Sequence, residues 1–285
     1  MTDLTLIFTD LDGSLLDHHS YGLSAAEPLL SRLEQNNIPV IPATSKTYAE
    51  LIPLRDSLDN HHPFIVENGA GIYIPQDYFP EQLDQPIVEG YYLKKLSQPR
   101  STWQSILQHL KRSFPNEFIT FAELGTHGIS TSTGLSLEGA QQANLRSFSE
   151  PVLWKSTEQR KRAFIASLQE AGANVLQGGR FLHVSGHCDK GQALQWLTKC
   201  YTNNTSQTTI TIAAGDGEND IAMLEAAQQA IIIRSPVNAA PRVRNPYQYL
   251  TKACGPEGWV EGVMYCLSTS LFNSINSKEF QQTQG

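Results

Sequence analysis

No C-x-x-C pair occurs in this chain, and its four cysteines, Cys188, Cys200, Cys254 and Cys266, are scattered. Nothing in that spacing suggests a zinc site or a disulfide framework, and reduced thiols in a cytoplasmic protein are the simplest reading. No run of Lys or Arg stands out either. With a formal net charge of −7, the chain has no basic stripe of the kind that binds a phosphate backbone, so no nucleic-acid partner is expected. No apolar stretch approaches the roughly 20 residues of a membrane-spanning helix. The opening Met1-Thr2-Asp3 has neither the basic segment nor the cleavage site of a secretory leader. An internal repeat is absent. The expectation is a soluble, cytoplasmic monomer or small homo-oligomer with no membrane partner.

What is present is ordinary globular composition. The 285 residues, 40% of them hydrophobic and 17% charged, suffice for one large domain or two smaller ones. An acidic surface still permits a small phosphorylated metabolite as partner, because a bound divalent cation reverses the local field.

The first segment, Leu4-Thr5-Leu6-Ile7-Phe8-Thr9, is nearly continuous apolar sequence ending in Asp10-Leu11-Asp12-Gly13. Such a run predicts a central parallel strand buried on both faces. A helix is predicted over 25–36, a strand over 38–43, a helix over 48–58 and a strand over 64–66. Strand, loop and helix alternate as in a doubly wound parallel α/β sheet, whose ligands sit beyond the carboxyl ends of the strands. Asp10, Asp12 and Thr44 fall at such ends. Between about 84 and 186 the texture changes to polar, alternating strands at 88–93 and 181–185. Helices are predicted at 101–113, 135–148 and 157–171, which suits an α+β insert with one wet face. The α/β pattern resumes with a helix from 189, a strand over 209–214, a helix to about 227 and a strand over 230–233. The tail from Ser274 is polar and is expected to fray.

Two acidic clusters carry the chemistry. Asp10 and Asp12, two apart after a buried strand, suit a nucleophile and its proton-handling partner, although an Asx-turn with a helix cap uses the same residues. Gly215-Asp216-Gly217-Glu218-Asn219-Asp220 crowds carboxylates and an amide behind a second buried strand. Oxygen-only donors of this kind favour a hard cation such as magnesium, the alternative being a solvated helix-capping turn. Thr44 offers a hydroxyl at a strand end and Lys190 an ammonium at a helix start, both natural phosphate contacts.

Taken in order, Asp10-Leu11-Asp12-Gly13-Ser14, Thr44, Lys190 and Gly215-Asp216-x-x-Asn219-Asp220 resemble the motifs of the haloacid dehalogenase superfamily. The resemblance implies a Rossmann-like core at 1–83 and 187–285, interrupted by an α+β cap at 84–186, as in the capped Cof-like group. It implies that Asp10 attacks phosphorus and that Asp12 protonates the leaving oxygen. Thr44 and Lys190 would bind phosphoryl oxygens. Mg2+ would be held by the Asp10 side chain, the Asp12 carbonyl and Asp216, supported by Asn219 and Asp220. Ser14 departs from the usual Thr but keeps the hydroxyl.

Further segments resemble the mannosyl-3-phosphoglycerate phosphatase branch. They are Thr44-Ser45-Lys46-Thr47-x-x-Glu50, Glu67-Asn68-Gly69, Leu145-Arg146-Ser147-Phe148-Ser149-Glu150-Pro151, Gly178-Gly179-Arg180-Phe181-Leu182-His183 and Gly255-Pro256-Glu257-Gly258-Trp259. The candidate substrate contacts are Lys46, Arg146 and Arg180 for a carboxylate and Asn68 for sugar hydroxyls, with Ser45 and Gly69 beside them. Each has a plainer reading: Arg146 pairs with Glu150 along a helix, Arg180 is a surface charge, and Asn68-Gly69 is a hairpin turn. His127, His183 and His187 fit no standard metal spacing and are expected to be satisfied or exposed. Other readings are a phosphatase of sucrose phosphate, glucosyl-phosphoglycerate or hexose phosphates, a phosphomutase, or a regulator without catalysis.

Overall fold

The computed structural model describes residues 3–18, 20–178, 180–205, 207–237 and 239–282, with side chains described to residue 269. In chain order the elements are β1 (Leu4–Thr9), α1 (Glu27–Gln35), β2 (Val40–Pro42), α2 (Tyr48–Ser57), β3 (Phe64–Val66), β4 (Gly71–Pro75), β5 (Ile87–Val88) and β6 (Tyr91–Lys95). Next come α3 (Arg100–Leu110), β7 (Phe118–Thr120), α4 (Phe121–Thr133), α5 (Leu137–Asn144), β8 (Glu150–Trp154), α6 (Glu158–Glu170), β9 (Asn174–Gly178) and β10 (Phe181–Ser185). The chain ends with α7 (Lys190–Thr205), β11 (Thr209–Gly215), α8 (Ile221–Ala226), β12 (Gln229–Arg234), β13 (Gln248–Cys254) and α9 (Gly255–Gln282).

Two compact units form, one from residues 1–42 and 198–285 and the other from 43–197. The first holds a five-stranded sheet in the order β13-β12-β11-β1-β2, with every pair parallel. Its middle strands are the continuous apolar runs of the sequence. Leu6, Ile7, Phe8, Ile212, Ala213, Ala214, Ile231 and Ile233 are fully buried, as burial on both faces of a parallel sheet requires. β13 and the helix α9, with its buried Trp259 and Val263, were not anticipated from sequence. The tail from Ser274 continues α9 to Gln282; residues 283–285 lie outside the described residues.

The second unit holds two antiparallel sheets, β3-β4-β6-β5 and β7-β8-β10-β9. β3 is therefore not a further strand of the parallel sheet; it makes a hairpin with β4, and only an isolated parallel bridge joins Ala43 to Ile65. β6 pairs with β4 along residues 91–95, so this ladder runs across the 83/84 position read as a cap boundary. The predicted strand 88–93 is two strands, because Glu89 and Gly90 both take positive φ and turn the chain. In the other sheet, Val152, Leu182 and Val184 pack with Trp103, Leu107, Phe164 and Leu168 of α3 and α6. The opposite face was expected to be wet. Instead Phe181 packs with Phe121, Ile129, Ala140 and Ala143 of α4 and α5. Gly and Thr dilute the apolar spacing of α4, which hid it from the sequence reading. The predicted helix 135–148 stops at Asn144, and residues 145–149 run irregularly into β8.

Candidate active site

In the first unit, the β1 ladder runs past its last residue: the Asp10 N–H donates to the Ala214 carbonyl at 2.8 Å. The Trp259 indole N–H donates to Thr9 Oγ1 (3.0 Å), and that hydroxyl donates to the Asp10 carbonyl (2.7 Å). An aromatic side chain from near the C-terminus thus pins the backbone under Asp10. Sequence reading gave Trp259 no such task; a lone Trp after Gly offers no signal for it. Beyond Asp10 the chain folds back on itself, with Gly13 N–H donating to the Leu16 carbonyl and Leu16 N–H to that of Leu11. Gly13 is left-handed at φ +83°, and a Cβ there would stand 2.8 Å from Asp216 Oδ2. Only glycine lets the two acidic loops approach this closely.

The second loop leaves β11 at the same sheet end. Asp220 is fully buried, and its Oδ2 accepts from the Asp216 and Gly217 N–H groups at 3.1 and 3.0 Å. One carboxylate oxygen from each of Asp10, Asp216 and Asp220 lies within 4.8 Å of the others, and all three residues are buried. Asp12 and Asn219 flank this cluster in sequence and are half-buried, while Glu218 is exposed. Ser14 is buried, and among the described residues its Oγ has no hydrogen-bond partner.

The second unit carries the other motif residues. Thr44 is fully buried; its N–H donates to Ile65, and its Oγ1 accepts from the Lys46 N–H at 3.1 Å. Thr47 caps α2 with a complete capping box to Glu50, and its hydroxyl also donates to the Gln142 carbonyl at 2.9 Å. Lys190 opens α7 and is fully buried, an expensive place for an ammonium and an unusual one for a surface lysine. Lys46 and Ser45 are half-buried, whereas Asn68 and Gly69 are buried in the turn after β3.

The two arginines differ. Arg180 is exposed, and its guanidinium donates to the Ser132 carbonyl (2.6 Å). Arg146 is buried and occupied by its own chain: Nη2 donates to the Ser45 carbonyl (2.7 Å), and Nε donates to Ser149 Oγ (2.9 Å) and faces Glu67 Oε2 at 3.5 Å. Its expected partner Glu150 instead takes Arg100, the Gln104 amide and the Ala122 N–H. Gly179 lies outside the described residues. His183, expected to be satisfied or exposed, is neither. Among the described residues its shielded Nδ1 has no hydrogen-bond partner, and desolvation, aided by Arg146, lowers its pKa to about 3.

Residues 7–253 match the haloacid dehalogenase-like hydrolase family. The chain belongs to this family. A relative from Methanococcoides burtonii, a glucosyl-3-phosphoglycerate/mannosyl-3-phosphoglycerate phosphatase, is 35% identical over 91% of this chain and 96% of its own length. Among solved structures, a Thermoplasma acidophilum protein aligns with TM-score 0.65 at 14% identity over 90% of this chain and 96% of its own. The sucrose-phosphatase of Synechocystis, solved with sucrose and phosphate, aligns with TM-score 0.61 at 18% identity over 93% of this chain and 98% of its own. At such identities these two likenesses speak for the fold: an α/β parallel-sheet core of the haloacid dehalogenase type.

For a hydrolase of this family, the donor chemistry fits a hard divalent cation. Three buried carboxylates in mutual range repel one another unless a positive charge screens them, and all three offer oxygen alone. No helix among the described residues is long and apolar enough to cross a membrane.

Proposed function

We propose that this hydrolase is a magnesium-dependent phosphatase that splits mannosyl-3-phosphoglycerate into mannosylglycerate and phosphate. The observation carrying the reaction class is the buried carboxylate cluster of Asp10, Asp216 and Asp220 at the carboxyl end of a parallel sheet. The substrate rests on the Methanococcoides relative and on the branch motifs around residues 44–50, 67–69 and 145–151.

In this reading an Asp10 carboxylate oxygen attacks phosphorus, and the bond from phosphorus to the glycerate oxygen breaks. Asp12 gives its proton to that departing oxygen, so no free alkoxide forms. Asp10 is left carrying the phosphoryl group as an acyl phosphate. Asp12, now a carboxylate, removes a proton from a water whose oxygen attacks phosphorus. The bond to Asp10 breaks, phosphate leaves and both aspartates return to their starting states. Thr44 and Lys190 are assigned to phosphoryl oxygens by their place in the motif series. Asp10, Asp216 and Asp220, with Asn219 and the Asp12 carbonyl in support, would hold Mg2+, which when bound neutralises charge on the transferring group. Lys46 and Arg180 are the cationic candidates for the glycerate carboxylate, and Asn68, beside Ser45 and Gly69, is the amide for sugar hydroxyls.

A catalytic core at 1–83 and 187–285 with a specificity cap at 84–186 is the proposed division of labour. One change is added: β5 and β6 go with β3 and β4, whose ladder they extend.

The test is phosphate release with Mg2+ across a panel of mannosyl-3-phosphoglycerate, glucosyl-3-phosphoglycerate, sucrose phosphate and hexose phosphates, for the wild type and Asp10→Asn. Preference for the first compound is expected, with at least about a thousandfold loss in the variant. A preference elsewhere in the panel removes the substrate and keeps the mechanism. Unchanged release by Asp10→Asn removes the nucleophile.

A further inference from the structure

The turn between β3 and β4 is strained in an unusual way. Glu67, Asn68 and Gly69 are all left-handed, at φ +48°, +57° and +97°, although two of the three carry side chains. Asn tolerates this region readily, but Glu enters it at a cost that its surroundings must offset. Here the anchor is the Glu67 carboxylate, 2% exposed and fully engaged. It accepts from the Ser147 N–H (2.7 Å), the Phe148 N–H (3.2 Å) and the Ser149 hydroxyl (2.6 Å), with the Arg146 guanidinium beside it. A buried carboxylate is an acceptor only, and three donors from residues 147–149 meet that need, with the Arg146 charge beside them.

The turn so anchored touches both segments that carry the expected phosphoryl contacts. The Glu67 N–H donates to the Lys46 carbonyl and the Asn68 N–H to that of Thr44, each at 2.9 Å. Gly69 sits so close to the start of α7 that a Cβ would fall 2.2 Å from the Asp189 carbonyl oxygen and 2.8 Å from the Lys190 nitrogen. Arg146 also binds the 44–46 loop directly through the Ser45 carbonyl. One three-residue turn therefore fixes the backbone of Thr44 and that of Lys190 relative to each other.

We infer that Glu67 is a positioning residue for phosphoryl binding, held by a clamp of Arg146 and Ser149. The inference rests on the phosphatase reading and assigns Arg146 to the scaffold instead of to the substrate carboxylate. Loss of the Glu67 charge removes its ion pair with Arg146, weakens its three hydrogen bonds, relaxes the turn and lets Thr44 and Lys190 drift apart. The carboxylates at 10, 216 and 220 belong to the other unit and are not addressed by this clamp.

Glu67→Gln in the full chain tests it, using the panel compound hydrolysed fastest and orthovanadate as a phosphoryl mimic. The expected result is a folded protein whose kcat falls and whose vanadate Ki rises, each at least tenfold. The Mg2+ concentration for half-activation stays within twofold. Ser149→Ala, which deletes one donor, moves both constants in the same direction by a smaller factor and serves if Glu67→Gln does not fold. A residue that only stabilises the fold would lower the melting temperature and the active fraction while leaving the vanadate Ki of the active enzyme unchanged. That result overturns the inference. A wild type that neither releases phosphate nor responds to vanadate overturns the phosphatase reading and this inference with it, and is distinguished because the unsubstituted protein fails too.

Discussion

Desolvation of the half-buried His183 imidazole, aided by the Arg146 charge, lowers its pKa from 6.5 to about 3. The sign of the consequence is fixed. Between pH 6.5 and 3 the unfolded chain takes up a proton that the folded one refuses, so stability falls as the solution is acidified through that window. His183→Phe removes this contribution, and its melting temperature is expected to vary less with pH between 6.5 and 4 than that of the wild type. Equal slopes would mean that the native imidazole protonates normally. At Asp12 the leaving group provides the probe. Asp12→Asn is expected to cut turnover of an alkyl phosphate by about 10²–10⁴-fold, the usual worth of a general acid. An aryl phosphate such as p-nitrophenyl phosphate, whose phenolate departs unaided, should lose much less. Equal losses on both esters, measured under single-turnover conditions, would overturn the proton-donor role proposed for Asp12.

At the scale of elements, the meeting of two loops decides the proposed cation site. Gly13 stands against Asp216 with no room for a methyl group. Gly13→Ala is expected to cost roughly 1–2 kcal/mol of stability from the left-handed backbone alone. It should also raise the Mg2+ concentration for half-activation at least tenfold by pushing Asp216 away; activation curves and denaturant melts read the two effects separately. This geometry was partly legible in the sequence. Apolar runs ending in Asp10 and Gly215 announced two buried strands and the acidic loops behind them, because burial on both faces leaves a plain signature. The antiparallel sheets of the second unit were read less well. β3 looks like a core strand by composition, but a strand's partner is chosen by the turn that follows it, and three left-handed residues are not visible in a string of letters. The role of Arg146 was misleading for a related reason. A conspicuous basic residue suggests a ligand, while the internal carboxylate that holds it lies 79 positions away, at Glu67.

For the molecule as a whole, a ligand that binds only the folded state stabilises it by mass action. At a free Mg2+ concentration 100 times its Kd the gain is about 2.7 kcal/mol. Calorimetry with and without EDTA is expected to show the unit of residues 1–42 and 198–285 melting higher with the metal. Asp216→Asn should abolish that response, and its metal-free form should be at least as stable as metal-free wild type, since one buried negative charge has gone. A metal response that survives in Asp216→Asn would move the cation elsewhere.

The pairing of β1 with β11 also has a consequence for how the protein is made. The strand that leads into Asp10 leaves the ribosome about 200 residues ahead of β11, its neighbour on one side. At about 5–20 residues per second the nascent chain carries that apolar edge unpaired for roughly 10–40 s. During synthesis Leu4–Phe8 is thus an open template for wrong strand partners, and shielding by a chaperone matters most there. The carboxylate cluster of Asp10, Asp216 and Asp220 cannot assemble until Asp220 has been made, more than 200 residues after Asp10.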